Sequence, residues 1–190
     1  MKLFFLSFFI LSIGCKQSKK NIVPEPAGIV QEEKPENFFP VTDYIKGQIA
    51  ELRADGINPL ILSTNGTIID STWLKVDSFN IVFKEFLTPE IDSVSLMPFF
   101  KESRFLDQSI PAYTWTYEPI KDLPDSITLR HWDVYVNPQT SKVERIFIKK
   151  SLPGNIQLQL TWVANEFAKI ISIKDDNKIE KDITIKWRFD

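Results

Sequence analysis

The stretch of sequence that decides the fold is residues 156–174, which read IQLQLTWVANEFAKIISIK. In its first half, apolar side chains alternate with polar ones, at Ile156, Leu158, Leu160 and Trp162. A period of two is typical of a β-strand with one buried face. A short polar turn at Asn165-Glu166 leads straight into the second half. A parallel pair would need a long crossover, so these two segments are predicted to pair antiparallel.

The same strand pattern extends in both directions along the second half of the chain. Six consecutive segments are predicted to be strands, at residues 112–118, 127–137, 142–150, 156–163, 167–174 and 179–189. Short polar turns such as Asp175–Asn177 join them. Consecutive half-buried strands with short connections indicate an antiparallel meander.

Upstream of the meander, the hydrophobic period changes to that of helices. Apolar residues recur every three or four positions in residues 42–54 and 77–87, and a shorter helical turn is predicted at 94–100. Between the first two helices, Asn65-Gly66 separates two strand-like segments, which is the typical sign of a β-hairpin.

These elements together predict an α+β fold, with N-terminal helices packed on one face of a five- to six-stranded antiparallel β-meander. A sheet that curls around helices can leave an apolar groove between the two layers. Trp115 and Trp162 are the candidate lining residues of such a groove, because both belong to the alternating apolar set.

The first fourteen residues are predicted to be a secretory signal peptide. Lys2 precedes an almost unbroken apolar run from Leu3 to Ile13, and the small residue Gly14 follows it. At about 1.5 Å per helical residue, this run spans roughly half of the apolar core of a bilayer. The run is therefore too short for a permanent transmembrane helix, and cleavage after residue 14 is expected.

The end of this signal resembles the lipobox of bacterial lipoproteins, since Leu11-Ser12-Ile13-Gly14-Cys15 places a small residue directly before a cysteine. The resemblance implies that Cys15 carries a diacylglycerol and that its new amine receives a fatty acyl chain such as palmitate. Ser12 stands where the family commonly has Leu, and signals of Bacteroidota-type bacteria are looser there. Cys15 is the only cysteine in the sequence, so lipidation leaves no unpaired thiol. The alternative is an ordinary cleaved signal with an incidental cysteine.

Residues 15–37 are predicted to be the lipidated cysteine and a flexible tether, and residues 38–190 a single α+β domain. The tether holds Pro24, Pro26 and Pro35 among few apolar residues, a composition that favours extended backbone. Basic rather than acidic residues follow Cys15. By analogy with lipoproteins of such bacteria, the expected location is the cell envelope, anchored in the outer membrane and facing the periplasm.

The candidate catalytic pair is His131 and Asp133, which share one face of the strand at 127–137. They could act as a base and its orienting carboxylate. Side chains two residues apart stand about 6.6 Å apart, however, which is loose for a hydrogen bond, so a polar strand face is the simpler interpretation. One histidine and a lipidated cysteine cannot supply a usual zinc site. We therefore expect no metal, no cofactor and no enzymatic activity.

Charge and short motifs limit the partners and modifications. The formal net charge of −2, without a basic stripe, argues against nucleic acid as a partner. Asp-Ser pairs resemble the O-glycosylation acceptor of Bacteroidota, with Ser71, Ser93 and Ser126 as the acceptors. Asp-Ser is also an ordinary turn or capping pair.

The chain as a whole, including FFPVTDY at 38–44 and RHWDVY at 130–135, resembles uncharacterised envelope lipoproteins of Bacteroidota. This resemblance brings no activity with it. The expected function is a membrane-anchored, non-catalytic module that binds an envelope protein partner or an apolar ligand such as a lipid. The alternatives are a structural or assembly role in the envelope, and hydrolysis by carboxylates that only the fold brings together.

Overall fold

The structure of the protein is a computed structural model that describes residues 38–91, 93–107, 110–174 and 178–189. The predicted signal peptide, Cys15 and the tether lie outside these residues, and so does the turn at Asp175–Asn177. Within the described part of the chain, no helix combines the length and the apolar character needed to span a bilayer.

Nine antiparallel strands form one continuous sheet. In chain order they are β1 (Leu60–Asn65), β2 (Ile68–Trp73), β3 (Phe100–Asp107), β4 (Ala112–Pro119), β5 (Leu129–Val136), β6 (Val143–Leu152), β7 (Ile156–Val163), β8 (Phe167–Ile173) and β9 (Ile179–Lys186). Their order across the sheet is β2-β1-β9-β8-β7-β6-β5-β4-β3. The strands from β3 to β9 thus form an uninterrupted meander, and the hairpin of β1 and β2 pairs with the last strand.

The α+β class and the antiparallel meander are confirmed, whereas the predicted number of five or six strands is wrong. The six predicted segments are β4 to β9. The predicted hairpin supplies β1 and β2, but its two-residue loop is Gly66-Thr67 rather than Asn65-Gly66, because Asn65 pairs with Ile68. Gly66 has a φ of +60°. The strand that the pattern missed is β3. Its buried side chains include the acid Glu102, which interrupts the apolar alternation.

The helices pack on one face of this sheet, which we call the covered face. They are α1 (Val41–Ala54), α2 (Phe79–Val82), α3 (Lys84–Leu87) and α4 (Ser93–Leu96), and a 3₁₀ turn at Val76–Ser78 precedes α2. The single helix predicted for 77–87 is divided at Phe83 between α2 and α3. This division accompanies complete burial of Phe79 and Phe83, whose rings pack edge to face 5.7 Å apart.

Aromatic side chains fill the space between the helices and the covered face. The ring of Trp162 lies 5.4 Å from that of Phe83 and 5.1 Å from that of Trp187. Further along the sheet, Trp132 stacks on Tyr117 with ring centres 4.5 Å apart. Burial of a large apolar side chain contributes roughly 1.5–3 kcal/mol. The covered face is therefore the main source of hydrophobic stabilisation.

The buried ammonium group of Lys150 connects α3 to the covered face. The side chain of Lys150, on β6, is only 2% exposed. Its ammonium group donates hydrogen bonds to the backbone carbonyls of Glu85 and Thr88 and lies 3.4 Å from the Glu85 carboxylate. Burial lowers the pKa of Lys150, and the negative charge of Glu85 opposes this only in part. Lys150 thus satisfies carbonyls at a helix end that would otherwise lack partners.

Candidate functional site

The face of the sheet opposite the helices holds the candidate site, and we call it the open face. Paired residues on neighbouring strands share a face, so their side chains form rows across the sheet. One open-face row crosses all nine strands, from β2 to β3: Trp73, Leu60, Lys186, Phe167, Val163, Arg145, Tyr135, Thr114 and Phe105. The row beside it contains Phe147, Asp133 and Thr116. The open face thus mixes aromatic, charged and hydroxyl groups.

His131 and Asp133 form a close pair on this face. The Nε2 atom of His131 lies 2.8 Å from a carboxylate oxygen of Asp133. The expectation that this spacing is too loose for a hydrogen bond is wrong. The distance of about 6.6 Å separates backbone positions two residues apart, whereas the imidazole and the carboxylate reach towards each other across it. Because an ionised carboxylate only accepts hydrogen bonds, Nε2 is the donor.

Asp133 is the centre of a small hydrogen-bond network. Its side chain is 11% exposed, and Thr116 donates a second hydrogen bond to it from Oγ1 at 2.7 Å. Burial raises the pKa of Asp133, but the hydrogen bonds from His131 and Thr116 outweigh this, so the pKa lies below its usual value. A catalytic triad needs a hydroxyl or thiol bonded to the imidazole. In the network that the structure describes, the Thr116 hydroxyl bonds to the acid instead.

Tyr135 and Arg145 lie opposite each other on β5 and β6, next to this network. The guanidinium carbon of Arg145 is 4.1 Å from the centre of the Tyr135 ring, which is close contact for a cation–π interaction. Burial, followed by the charge of Asp133, raises the pKa of Tyr135. The phenol is therefore neutral at physiological pH. Among the described residues, the Arg145 guanidinium has no hydrogen-bond or ion-pair partner.

A groove of about 580 Å³ extends from Tyr135 and Arg145 to the nearby ends of β4, β6 and β7. Ligand-binding pockets typically measure about 300–1,000 Å³. Its apolar lining residues, which we call the floor, are Ile110, Pro111, Ala112, Val143, Val163 and Ala164. Its rim carries Thr140, Lys142, Glu144, Asn165 and Glu166. The groove thus combines an apolar floor with a half-buried cation.

The two tryptophans predicted to line an apolar groove lie in one row of the covered face, with Val134 and Ile146 between them. Three strand spacings therefore separate them, which is about 14 Å. Trp162 belongs to the packed core. Trp115 is half-buried, and the guanidinium carbon of Arg104 lies 4.7 Å from its ring centre. Neither tryptophan lines the groove at Tyr135.

The candidate glycosylation sites differ in their surroundings. Ser71 is exposed on the edge strand β2, and Ser126 is exposed in a turn before β5. The side chain of Ser93 lies outside the part of the chain that the structure describes. Glycosylation at these positions stays a prediction.

The sequence indicates part of the candidate site. His131 and Asp133 attract attention because they share a strand face, and Tyr135 continues the same alternation. Arg145 gives no such signal. Its position beside Tyr135 depends on the pairing of β5 with β6, where the register shifts between Tyr135 and Val136. A single sequence contains no pattern that fixes this shift.

Neither metal ligands nor relatives assign a function to this site. Within the described ranges, no group of three or more His, Cys, Asp or Glu side chains could hold a metal ion. Comparison of the chain with known protein families, with curated proteins and with solved structures finds no match. The chemistry of the open face is therefore the basis for the functional argument.

Proposed function

We propose that the protein is a membrane-anchored envelope lipoprotein whose domain is a non-catalytic binding module, with the open face as its binding surface. The observation that carries this proposal is the groove at Tyr135 and Arg145, which combines an apolar floor with a charged group that has no hydrogen-bond or ion-pair partner among the described residues. Binding sites typically combine an apolar lining with a few placed polar groups.

The position of this groove supports a binding site outside the core. An apolar ligand between the helices and the sheet would need room beside Trp162, but Phe83 and Trp187 already pack against that ring. Protein interiors are close-packed, and insertion into them is costly. We therefore propose binding on the open face rather than transport of a lipid inside the domain.

The proposed anchor rests on the sequence around Cys15. An alkyne analogue of palmitate, fed to cells that produce the protein, should label the wild type and leave Cys15→Ala unlabelled. An inhibitor of lipoprotein signal peptidase should retain residues 1–14, which a mass shift would show. An unlabelled wild-type protein, cleaved without lipid, would contradict the anchor and favour an ordinary secretory signal.

The proposed location in the outer membrane, facing the periplasm, has a separate test. Protease added to intact cells should spare the protein, and opening of the outer membrane should expose it. Digestion in intact cells would instead place the domain on the cell surface.

The binding surface can be tested by photo-crosslinking in living cells. A photoreactive phenylalanine replaces Phe147 on the open face or, as the matched control, Ile81 on the helical layer, where the side chain is 78% exposed. We expect an adduct of discrete mass at position 147, lost when Arg145 is also replaced by Gln, and none at position 81. Adducts at position 81 alone would move the binding surface to the helices and contradict the proposal.

The outer edge of the sheet supports a second candidate, a structural or assembly role. All six residues of β2 are exposed, and its large apolar side chains are Ile68, Ile69 and Trp73. Exposed edge strands with apolar side chains invite pairing with another chain. Ile69→Lys should reduce any self-association in analytical ultracentrifugation, and a wild-type protein that is monomeric at high concentration would contradict this role for β2.

A further inference from the structure

We infer that the groove at Tyr135 and Arg145 binds an anionic amphiphile, a molecule with an apolar body and one carboxylate or phosphate group. This inference rests on the proposed function, since it names the ligand of the same binding surface. It assigns the apolar body to the groove floor and the anionic group to Arg145. A planar carboxylate and a tetrahedral phosphate each present a pair of anionic oxygens, which a guanidinium group binds through two parallel hydrogen bonds.

The charge distribution of the groove favours an anion at its inner end. Arg145 is half-buried, whereas the rim carboxylates of Glu144 and Glu166 are exposed. Exposed charges are screened by water and salt much more strongly than partly buried ones. One carboxylate oxygen of Glu144 is directed to Asn137, whose amide donates a hydrogen bond to it at 2.7 Å. Arg145 is therefore the least screened charge among those that line the groove, and the exposed Lys142 adds positive charge from the rim. The carboxylates of Asp133 and Asp107 also act on Tyr135, but neither residue lines the groove.

The contact between Arg145 and Tyr135 fixes the orientation of the guanidinium group before a ligand binds. The ring holds one face of the guanidinium through the cation–π contact at 4.1 Å. Stacking on a ring leaves the in-plane N–H donors available, and it reduces the side-chain entropy lost when a ligand binds. The raised pKa of Tyr135 keeps the phenol uncharged beside the incoming anion.

The groove floor accounts for the apolar body of the ligand. The half-buried Val163 lies opposite Arg145 on β7, and the half-buried Val143 lines the groove at the start of β6. Burial of apolar surface contributes about 25 cal/mol per Å². An anion without an apolar body would leave this floor in contact with water, and an uncharged apolar molecule would offer the Arg145 guanidinium no charged hydrogen-bond acceptor.

The test uses the full-length protein in nanodiscs of phosphatidylcholine. Three photoreactive probes share one medium-length alkyl chain with a mid-chain diazirine and differ only in the head group: carboxylate, phosphate or hydroxyl. We expect the carboxylate or phosphate probe to label peptides from the groove about tenfold more than the hydroxyl probe does. Comparison of the two anionic probes shows whether the source chemistry is that of a fatty acid or of a phospholipid head group.

Variants of one strand supply the controls. Arg145→Gln should reduce anionic labelling to the level of the hydroxyl probe, and Arg145→Lys should restore part of it. Lys149→Gln is the matched control, because Lys149 lies on the same strand and face outside the groove lining, and it should label like the wild type. Equal labelling by all three probes, labelling outside the groove, or full labelling of Arg145→Gln would each overturn the inference.

The outcome for the ligand can be separated from that for the proposed function. If the anionic probes fail at the groove while the crosslinker at position 147 still captures a protein adduct, the ligand class is wrong and the binding module stands. If neither probe nor crosslinker reports on the open face, both proposals fail. Unfolding curves of each variant establish that lost labelling does not reflect lost folding.

Discussion

Two neighbouring residue pairs on β5 and β6 show how the two faces of the sheet differ in burial. Val134 and Ile146 face each other on the covered face, where both are fully buried. Tyr135 and Arg145 are the next residues along the same strands, and they face each other on the open face, half-buried. An antiparallel sheet can keep one face on a core and leave the other in contact with solvent. Stability therefore concentrates on one face, and the other is the binding surface that we propose.

The largest effect is expected from Trp162→Ala on the covered face. Removal of this buried ring leaves a cavity beside Phe83 and Trp187, and such truncations cost about 3–5 kcal/mol of unfolding free energy. The measurement is urea-induced unfolding followed by circular dichroism. The matched control is Phe147→Ala on the open face, where we expect a loss of about 1 kcal/mol. Similar losses for the two variants would contradict the division between the faces.

The buried charge on the covered face gives the next largest effect. Lys150→Ala leaves the carbonyls of Glu85 and Thr88 without their donor, and unsatisfied buried groups cost about 1–3 kcal/mol each. We expect a total loss of about 2–4 kcal/mol in the same unfolding experiment. Lys149→Ala, one position away on the open face, should change the free energy by about 0.5 kcal/mol or less.

Lys150 also predicts a dependence on pH. Burial lowers the pKa of Lys150 in the folded state below the usual 10.5 of the unfolded chain. At pH values between the folded and the unfolded pKa, the unfolded chain therefore binds more protons than the folded one. The stability of the wild type should therefore rise with pH across this window, relative to Lys150→Met, and the difference should be flat below it. Parallel pH profiles for the two proteins would show that the folded domain does not hold Lys150 in a desolvated site.

A smaller effect is expected from Asp133→Asn on the open face. The pKa of Asp133 is lower in the folded state, so its charged form stabilises the fold at pH values above the usual pKa of 3.8. This contribution is lost as the pH falls through the lower pKa of the folded state. At neutral pH we expect a loss of about 1–2 kcal/mol, because charge-assisted hydrogen bonds from His131 and Thr116 are weakened. The difference from the wild type should vanish in strong acid.

The control for this carboxylate is Asp182→Asn, also on the open face. Asp182 forms a 3.2 Å ion pair with Lys169 that is more exposed than the Asp133 network. Exposed pairs contribute about 0–1 kcal/mol. A loss at Asp182 as large as that at Asp133 would show that the hydrogen-bond network adds nothing beyond ordinary surface charge.

The two faces also differ in how far the sequence reveals them. Strict alternation in β7 identifies Leu160 and Trp162 as buried, because hydrophobic burial repeats along a single strand. The contact of Arg145 with Tyr135 depends on register between strands, which one sequence does not encode visibly. Glu102 illustrates the remaining difficulty. A buried acid balanced by Arg104 breaks the pattern that would have marked β3 as a strand.

The smallest effect on stability, and the sharpest separation of the faces, is expected from Arg145→Gln. The variant loses one cation–π contact at a half-buried site, which is worth about 0.5–1 kcal/mol. The melting temperature, followed by circular dichroism, should fall by only a few degrees. Binding of an anionic amphiphile should nevertheless weaken about tenfold, since the charged partner is gone. If stability fell as far as in Trp162→Ala, Arg145 would belong to the structural framework. Ligand binding on the open face could then not be changed without a loss of stability in the core.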